Sequence, residues 1–495
     1  NVVTGDGETF KSYAWYASNG STYNVASNSN VELTYANINA TGTVNVAEGA
    51  TLTTVQESSN IVGTLNVDGT VNSVMTVYAG LADGNAAGLV NVSKTGTVNS
   101  TIMAIGTAVR DDAKYNAAGT NTTATVAVDG GTLNATGQEG ELTSKLLVGS
   151  DDFAGKLTGT NGATINVGER TAKGTGYMRF VIGSQGRLSL TDSTLTVYNL
   201  GGTNNSANGV FENSGMISMD LDSLITTATV LNNLGTITVD MTGADEDSGV
   251  YKLVDYTGTG EVTGYGNVKL SNSEYETVVI DGDLYAANVD MTKLKVNAAW
   301  STSDIGEEVA NGYFYGFNAF TTAKEALTVA NELGGATIDL MEETYSYVEP
   351  TSPGVKITNA GTYKIINGNG VLLNYDLDVN PELAEGEYNL SMTDANLTLT
   401  KLTLRSNSSL TVTNSRIDYN AYEGGSAYLS VYNNSVLNVS NSTIGFDPHK
   451  SGAANPSLLP DAGTGANDPY WNWAPTWNIY GTATIEDSTL FAYVG

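Results

Sequence analysis

One phrase keeps returning in the first 150 positions of this chain. It reads GTLNVDGTVNSVMTVYAG from Gly63 to Gly80 and GLVNVSKTGTVNSTIMAIGT from Gly88 to Thr107. With a longer middle, it reads ATVAVDGGTLNATGQEGELTSKLLVGSD from Ala124 to Asp151. Each copy holds three short runs of alternating apolar residues in the same order, separated by Gly, Asp and Asn. A strand-turn unit this short cannot bury a core alone and must stack on its neighbours.

The alternation puts Leu65 and Val67, or Val90 and Val92, on one face of a strand, and Asn66 and Asn91 on the other. Turn signals follow at Asp68-Gly69, Asp129-Gly130-Gly131 and Asp192-Ser193. Gly tolerates positive φ there, and Asp can bond its own backbone. A second strand comes next (Thr70-Val71-Asn72, Thr97-Val98-Asn99), then a third (Met75 to Tyr78, Ile102 to Ile105, Arg179 to Ile182). Three strands and three corners per turn predict an all-β chain built as a right-handed parallel β-helix, a β-solenoid. Separate β-sandwich domains also show short strands with frequent turns, but the fixed order of three unlike strands favours the solenoid. The Val-Asn-Val core recurs at roughly 20 to 40 residues, the range of solenoid repeats. Corners therefore grow while strands keep register. Arg110–Thr123, Gln138–Ser144 and Arg170–Gly176 read as such insertions.

Composition narrows the function classes. The formal charge is −31, from 52 acidic and 21 basic residues. A surface of that sign repels phosphate backbones and anionic bilayers, so neither nucleic acid nor a membrane surface is an expected partner. No apolar run reaches the length of a membrane helix, so no membrane insertion is expected within this segment. The absence of cysteine removes disulfides, zinc–thiolate sites and cysteine nucleophiles.

The pattern changes near residue 290. Ala319 to Leu333, AFTTAKEALTVANEL, is the best helical pattern in the chain, with Thr321 or Thr322 as its cap. Ala326, Leu327, Ala330 and Leu333 form its apolar face, and Gly334-Gly335 stops it. Strands are predicted at Ala336–Leu340, Val355–Ile357, Tyr363–Ile366 and Val371–Leu373. An amphipathic helix here suits a cap over the open end of a solenoid. We therefore divide the chain into a repeat domain over 1–296 and a second solenoid over 297–495. The second carries the capping helix at about 319–333 and an aromatic, proline-rich loop at 446–478.

The run FTTAKEALTVANELGGATIDLMEETY resembles the opening of pectin-lyase-like right-handed β-helix domains, with Glu343-Thr344-Tyr345 where that superfamily often has Gly-Thr-Tyr. The resemblance spans about Phe317 to Leu373 and implies fold; it says little about activity. In repeat style, the first half resembles bacterial β-helical adhesins and autotransporter passengers. That resemblance implies a secreted or bacterial cell-surface protein.

Candidate chemistry is sparse. β-Helix hydrolases use clustered aspartates with Gly-His-Gly, whereas the single histidine here, His449, sits in Asp447-Pro448-His449-Lys450. The pairs Asp111-Asp112 and Asp151-Asp152 read as corner residues, because neighbours on a strand point to opposite faces. Arg405 and Arg416 could act in a lyase-like site, but each more often anchors a surface or pairs with a carboxylate, and no calcium-ligand spacing lies beside them. Asp245, Glu246 and Asp247, between Gly243 and Gly249, form the densest acidic turn, and oxygen-rich loops can hold Ca²⁺. Calcium is the one cofactor the sequence leaves open; a plain solvated loop is the competing reading.

Tyr470, Trp471, Asn472, Trp473 and Trp477 form an aromatic cluster. Exposed indoles can stack on sugar rings while Asn472 or Asp468 bonds hydroxyls. The competing reading folds these rings onto the solenoid or a neighbouring subunit. The expectation is a non-enzymatic, adhesin-like protein whose partner is a glycan, a host or neighbouring-cell surface ligand, or itself in an assembly. The alternatives are a structural subunit of a surface layer or filament, and a polysaccharide lyase or hydrolase.

Overall fold

The computed structural model describes residues 8–18, 20–55, 59–79, 87–106, 122–136, 145–168, 178–198, 200, 210–245, 248–341, 354–368, 371–419, 428–445 and 476–491. Strands take 58% of the described residues and helix 4%, and the strands form long parallel stacks. The protein is an all-β parallel β-helix, with one short α-helix among the described residues. Among the described residues, no helix is long and apolar enough to cross a membrane. The corner insertions expected at 110–123, 138–144 and 170–176 lie almost wholly outside the described residues. The chain divides into two compact units, 1–247 with 251–288 and 248–250 with 289–495.

In the first unit, a ten-stranded parallel sheet runs from Thr22–Val25 to Asn267–Leu270. Two further columns complete each coil. One contains Thr51–Thr54, Thr70–Asn72, Thr97–Ser100, Thr132–Ala135, Ala163–Val167 and Ser193–Val197. The other contains Ser59–Ile61, Met75–Val77, Ile102–Ile105, Lys145–Val148, Arg179–Ile182 and Val210–Asn213. The long strand Asn30–Ile38 pairs into both columns. Coils differ in length but not in register: a short coil brings Thr236 against Met216, and a much longer one brings Thr125 against Leu89.

That register builds the core. Leu65 stacks between Val44 and Val90, and Val67 between Val46 and Val92, all essentially inaccessible to water. Each such side chain contributes about 1.5–3 kcal/mol by burial. Phe180 and Phe211 are register partners whose rings stack with centroids 4.8 Å apart and planes 13° apart.

The outward residues form a second set of ladders. The Nδ2 of Asn45 donates to Asn24 Oδ1 at 2.7 Å, Asn66 to Asn45 at 2.8 Å, and Asn91 to Asn66 at 2.8 Å. A parallel series runs from Asn166 to Asn134, Asn99 and Asn72, with links of 2.8, 2.8 and 2.9 Å, and ends on Thr53 at 3.2 Å. The asparagines predicted only to face away from the core therefore bind each coil to the next.

Glycine at these corners serves close approach more than conformation. At Gly69, φ is not positive; a Cβ there would lie 2.3 Å from the Ala47 carbonyl oxygen and 2.4 Å from that of Ala50. The positive-φ explanation is thus replaced at Asp68-Gly69 by lack of space. It holds at Gly130, and at the Asp192-Ser193 turn Asp192 itself is left-handed. At the C-terminal side of this unit an antiparallel hairpin, Glu276–Ile280 with Asp283–Asn288, adds Leu284 and Ala286 to the core. Lys252 joins it through Asp283 at 2.8 Å and Asp255 at 3.0 Å. Burial opposes the lysine's charge, but these two carboxylates prevail and hold it above its ordinary range.

The second unit repeats the plan. One eight-stranded parallel stack passes through Ala319–Phe320, Lys293–Val296, Thr337–Asp339, Gly361–Ile366, Tyr388–Thr393, Ser408–Thr413, Val436–Ser440 and Thr482–Glu486. Opposite it run Val355–Ile357, Val371–Val379 and Asn396–Leu404. The last of these pairs with both Arg416–Tyr419 and Tyr428–Val431. Left-handed Asp394, Asn414, Asn441 and Asp487 turn the chain at one corner, as short polar side chains do at low cost. Asn414 donates its amide to Asp394, and Asn441 to Asn414 at 3.0 Å.

The helix spans Ala323–Leu333 and packs on the first strands of this unit. Thr322 and Glu325 form a reciprocal capping box, worth about 1 kcal/mol. Ala323, Ala326, Leu327 and Ala330 are buried, whereas Leu333, expected on the apolar face, is 49% exposed because it sits in the last turn beside left-handed Gly334. Gly361 lies so close beneath that a Cβ would sit 1.6 Å from the Gly334 carbonyl oxygen. Glu343-Thr344-Tyr345 lies outside the described residues.

Candidate functional site

The acidic turn follows the strand Thr236–Asp240. Asp240 Oδ1 accepts from the Thr242 hydroxyl at 2.8 Å and its amide at 3.0 Å, which holds the carboxyl below the usual range. Asp245 is exposed; its amide donates to the Tyr251 hydroxyl at 2.9 Å, and its carbonyl accepts from Tyr275 at 2.7 Å. Two tyrosines thus fix the backbone of this turn. Glu246 and Asp247 lie outside the described residues. Among the described residues, no three His, Cys, Asp or Glu side chains are grouped as a metal site would need.

The groups a polysaccharide-cleaving enzyme would use are dispersed or occupied. Asp151 and Asp152 sit in an exposed turn, where Asp151 accepts from Ser184 at 2.8 Å. Asp111, Asp112 and His449 lie outside the described residues. Arg405 makes a bidentate pair with Asp378, Nε to Oδ1 and Nη2 to Oδ2 both at 2.9 Å. Arg416 lies in strand 416–419, between Asn396 and Thr443 of adjacent coils.

Of the aromatic cluster, Tyr470, Trp471, Asn472 and Trp473 lie outside the described residues, as does Asp468. Trp477 belongs to strand Thr476–Ile479, in register with Leu429, and packs against the core of the second unit. Its indole nitrogen is buried and finds no hydrogen-bond partner among the described residues.

The structure instead brings forward residues the sequence reading passed over. Leu404, Val431 and Ile479 are register partners on successive coils, and the next residue of each is Arg405, Tyr432 and Tyr480. The Arg405 guanidinium lies 5.7 Å from the centroid of the Tyr432 ring, and the Tyr432 and Tyr480 rings are 6.0 Å apart and tilted by 30°. Tyr432 is 41% exposed and Tyr480 63%. The signal lay in LRSNS, VYNNS and IYGT, each an apolar residue, one large planar group and a turn.

A second aromatic group stands on the first unit. Tyr13 and Tyr16, 70% and 52% exposed, both meet Tyr35 edge to face with centroids 5.7 Å apart, and the Tyr16 and Tyr35 hydroxyls are hydrogen-bonded. No protein-family model matches the chain, and no curated protein matches it in sequence.

Proposed function

We propose that this is a non-enzymatic, adhesin-like protein of a bacterial surface or secreted fraction, which uses its β-helices as a stiff support for exposed aromatic contacts. The observation that carries this reading is the pair of outward tyrosine groups, Tyr13/Tyr16/Tyr35 on register-locked strands and Tyr432/Tyr480 immediately after such strands, exposed instead of packed in a core. Exposed aromatic rings on a rigid frame bind with little loss of conformational freedom. Occupation of Arg405 by Asp378 supports a binding role for that residue over proton abstraction. The pectin-lyase-like and autotransporter-like resemblances agree with this reading at the level of fold and repeat style.

The test is to present the purified chain to arrays of glycans and of cell-surface proteins, and to assay product release from polysaccharides in parallel. Saturable binding without turnover is expected. Cleavage of any polysaccharide, or no saturable binding across both arrays, refutes the proposal.

A further inference from the structure

We infer that the Arg405–Tyr432–Tyr480 column binds an extended, uncharged oligosaccharide, with one sugar ring seated against each coil. This deepens the proposed adhesin reading and rests on it. Successive coils of a β-helix advance by one strand spacing, about 4.8 Å, and the three planar groups follow that advance with separations of 5.7 and 6.0 Å. An extended chain of linked pyranose rings advances by a little more than one such spacing per sugar. Its carbon-bound hydrogens present the apolar faces that aromatic rings attract. Polar groups flank the column: Asn433 is exposed at the corner, and Asn478 lies in the strand that ends one residue before Tyr480.

Charge selects the ligand further. Arg405 is already matched by Asp378 through its guanidinium nitrogens and lies over the Tyr432 ring, so it brings no unpaired cation for an acidic sugar. The surrounding chain carries a charge of −31 and repels polyanions. Size selects against a protein partner. Three side chains over two coil spacings span on the order of 10 Å, a patch on the order of 100 Å² if it is about as wide as it is long, far below the roughly 800 Å² per partner of a stable protein interface, but enough for two or three sugars.

The experiment is calorimetric or saturation-transfer titration of the full chain with cellotetraose and chitotetraose as uncharged probes. Tetragalacturonate serves as the acidic counterpart and glucose as the length control. At least one uncharged tetramer is expected to bind saturably, more tightly than glucose and than tetragalacturonate. Tyr480→Ala and Tyr432→Ala should each weaken it roughly three- to tenfold, and Tyr480→Phe should retain it, with unchanged circular dichroism in all three variants. Preference for tetragalacturonate overturns the inference. So does binding unaltered in both alanine variants, which leaves an adhesin with its site elsewhere. Failure of both uncharged tetramers overturns the inference as well, and the adhesin reading falls with it only if the arrays also show no ligand.

Discussion

The asparagine ladder makes a prediction that separates its contribution from strand propensity. Asn66 is an internal rung: it donates to Asn45 and accepts from Asn91, both at 2.8 Å. Asn91 ends the series, because the next residue in its column is Ala127, and among the described residues its side chain makes only the bond to Asn66. A net hydrogen bond contributes about 0.5–1.5 kcal/mol. Asn66→Ala should therefore cost about 1–3 kcal/mol and Asn91→Ala about half as much. Both positions are half-buried, mid-strand and outward-facing, so the intrinsic cost of replacing Asn by Ala cancels in the comparison. Solenoids lose structure locally and not in one concerted step. The suitable assay is therefore native-state hydrogen exchange at the amides of strands 43–46, 64–67 and 89–92. An Asn66→Ala effect equal to or smaller than that of Asn91→Ala would falsify the ladder as a source of stability.

Three further expectations follow from packing and charge. Phe180→Ala removes a ring stacked on Phe211 inside the first unit and should destabilise it by about 3–5 kcal/mol, measured by urea unfolding followed at that unit's amides; a loss below about 1 kcal/mol contradicts the packing described. Gly361→Ala forces a Cβ onto the Gly334 carbonyl, where the atoms it would meet are all backbone and cannot swing aside as a side chain would. It should cost about 3 kcal/mol or more, whereas Gly162→Ala, where space is open but φ is +79°, should cost only about 1–2 kcal/mol. Equal losses would show that space at Gly361 is not the constraint. Tyr285 and Tyr363 are each pushed up to about 12, by burial first and then by Asp283 and Tyr388 respectively. Because these folded values exceed the unfolded value near 10, their neutral phenols stabilise both units fully below pH 10. That contribution is lost as pH rises towards 12. Phenolate absorbance should show a late-titrating fraction that coincides with loss of β-sheet ellipticity. A single step near pH 10 with the fold intact contradicts this.

Much of the scaffold was legible because its signals are local. Strands 64–67, 70–72 and 75–77 fall within the first repeated phrase, and the helix ends at the glycine that the sequence suggested. It starts later than the expected 319, at Ala323 after Thr322, because Ala319–Phe320 pair as a strand with Lys295–Val296. The hairpin 276–288 was missed: its four consecutive buried residues, Leu284 to Ala287, erase the alternation that marks a strand. The tyrosine column was hidden for a different reason. Val431 and Ile479 are partners across a connection far longer than the one between Leu404 and Val431. Spacing alone cannot align Tyr432 with Tyr480 when corner lengths vary this widely. Conversely, the conspicuous Trp477, placed by the sequence in the loop 446–478, lies in a strand and packs on the core, as the competing reading of that cluster has it.

The constancy of register has a consequence for how such a chain changes over generations. Short coils run from Met216 to Thr236 and from Thr22 to Thr43, with little more than strands and tight corners in them. Duplicating a segment of that size in frame lengthens the stack by one strand spacing and leaves every inward and outward position unchanged. Shifting one strand by a single residue would instead exchange its two faces. Gains and losses of a few residues are therefore confined to corners, and growth in length to whole coils. Length and binding specificity can drift separately, under different mutations.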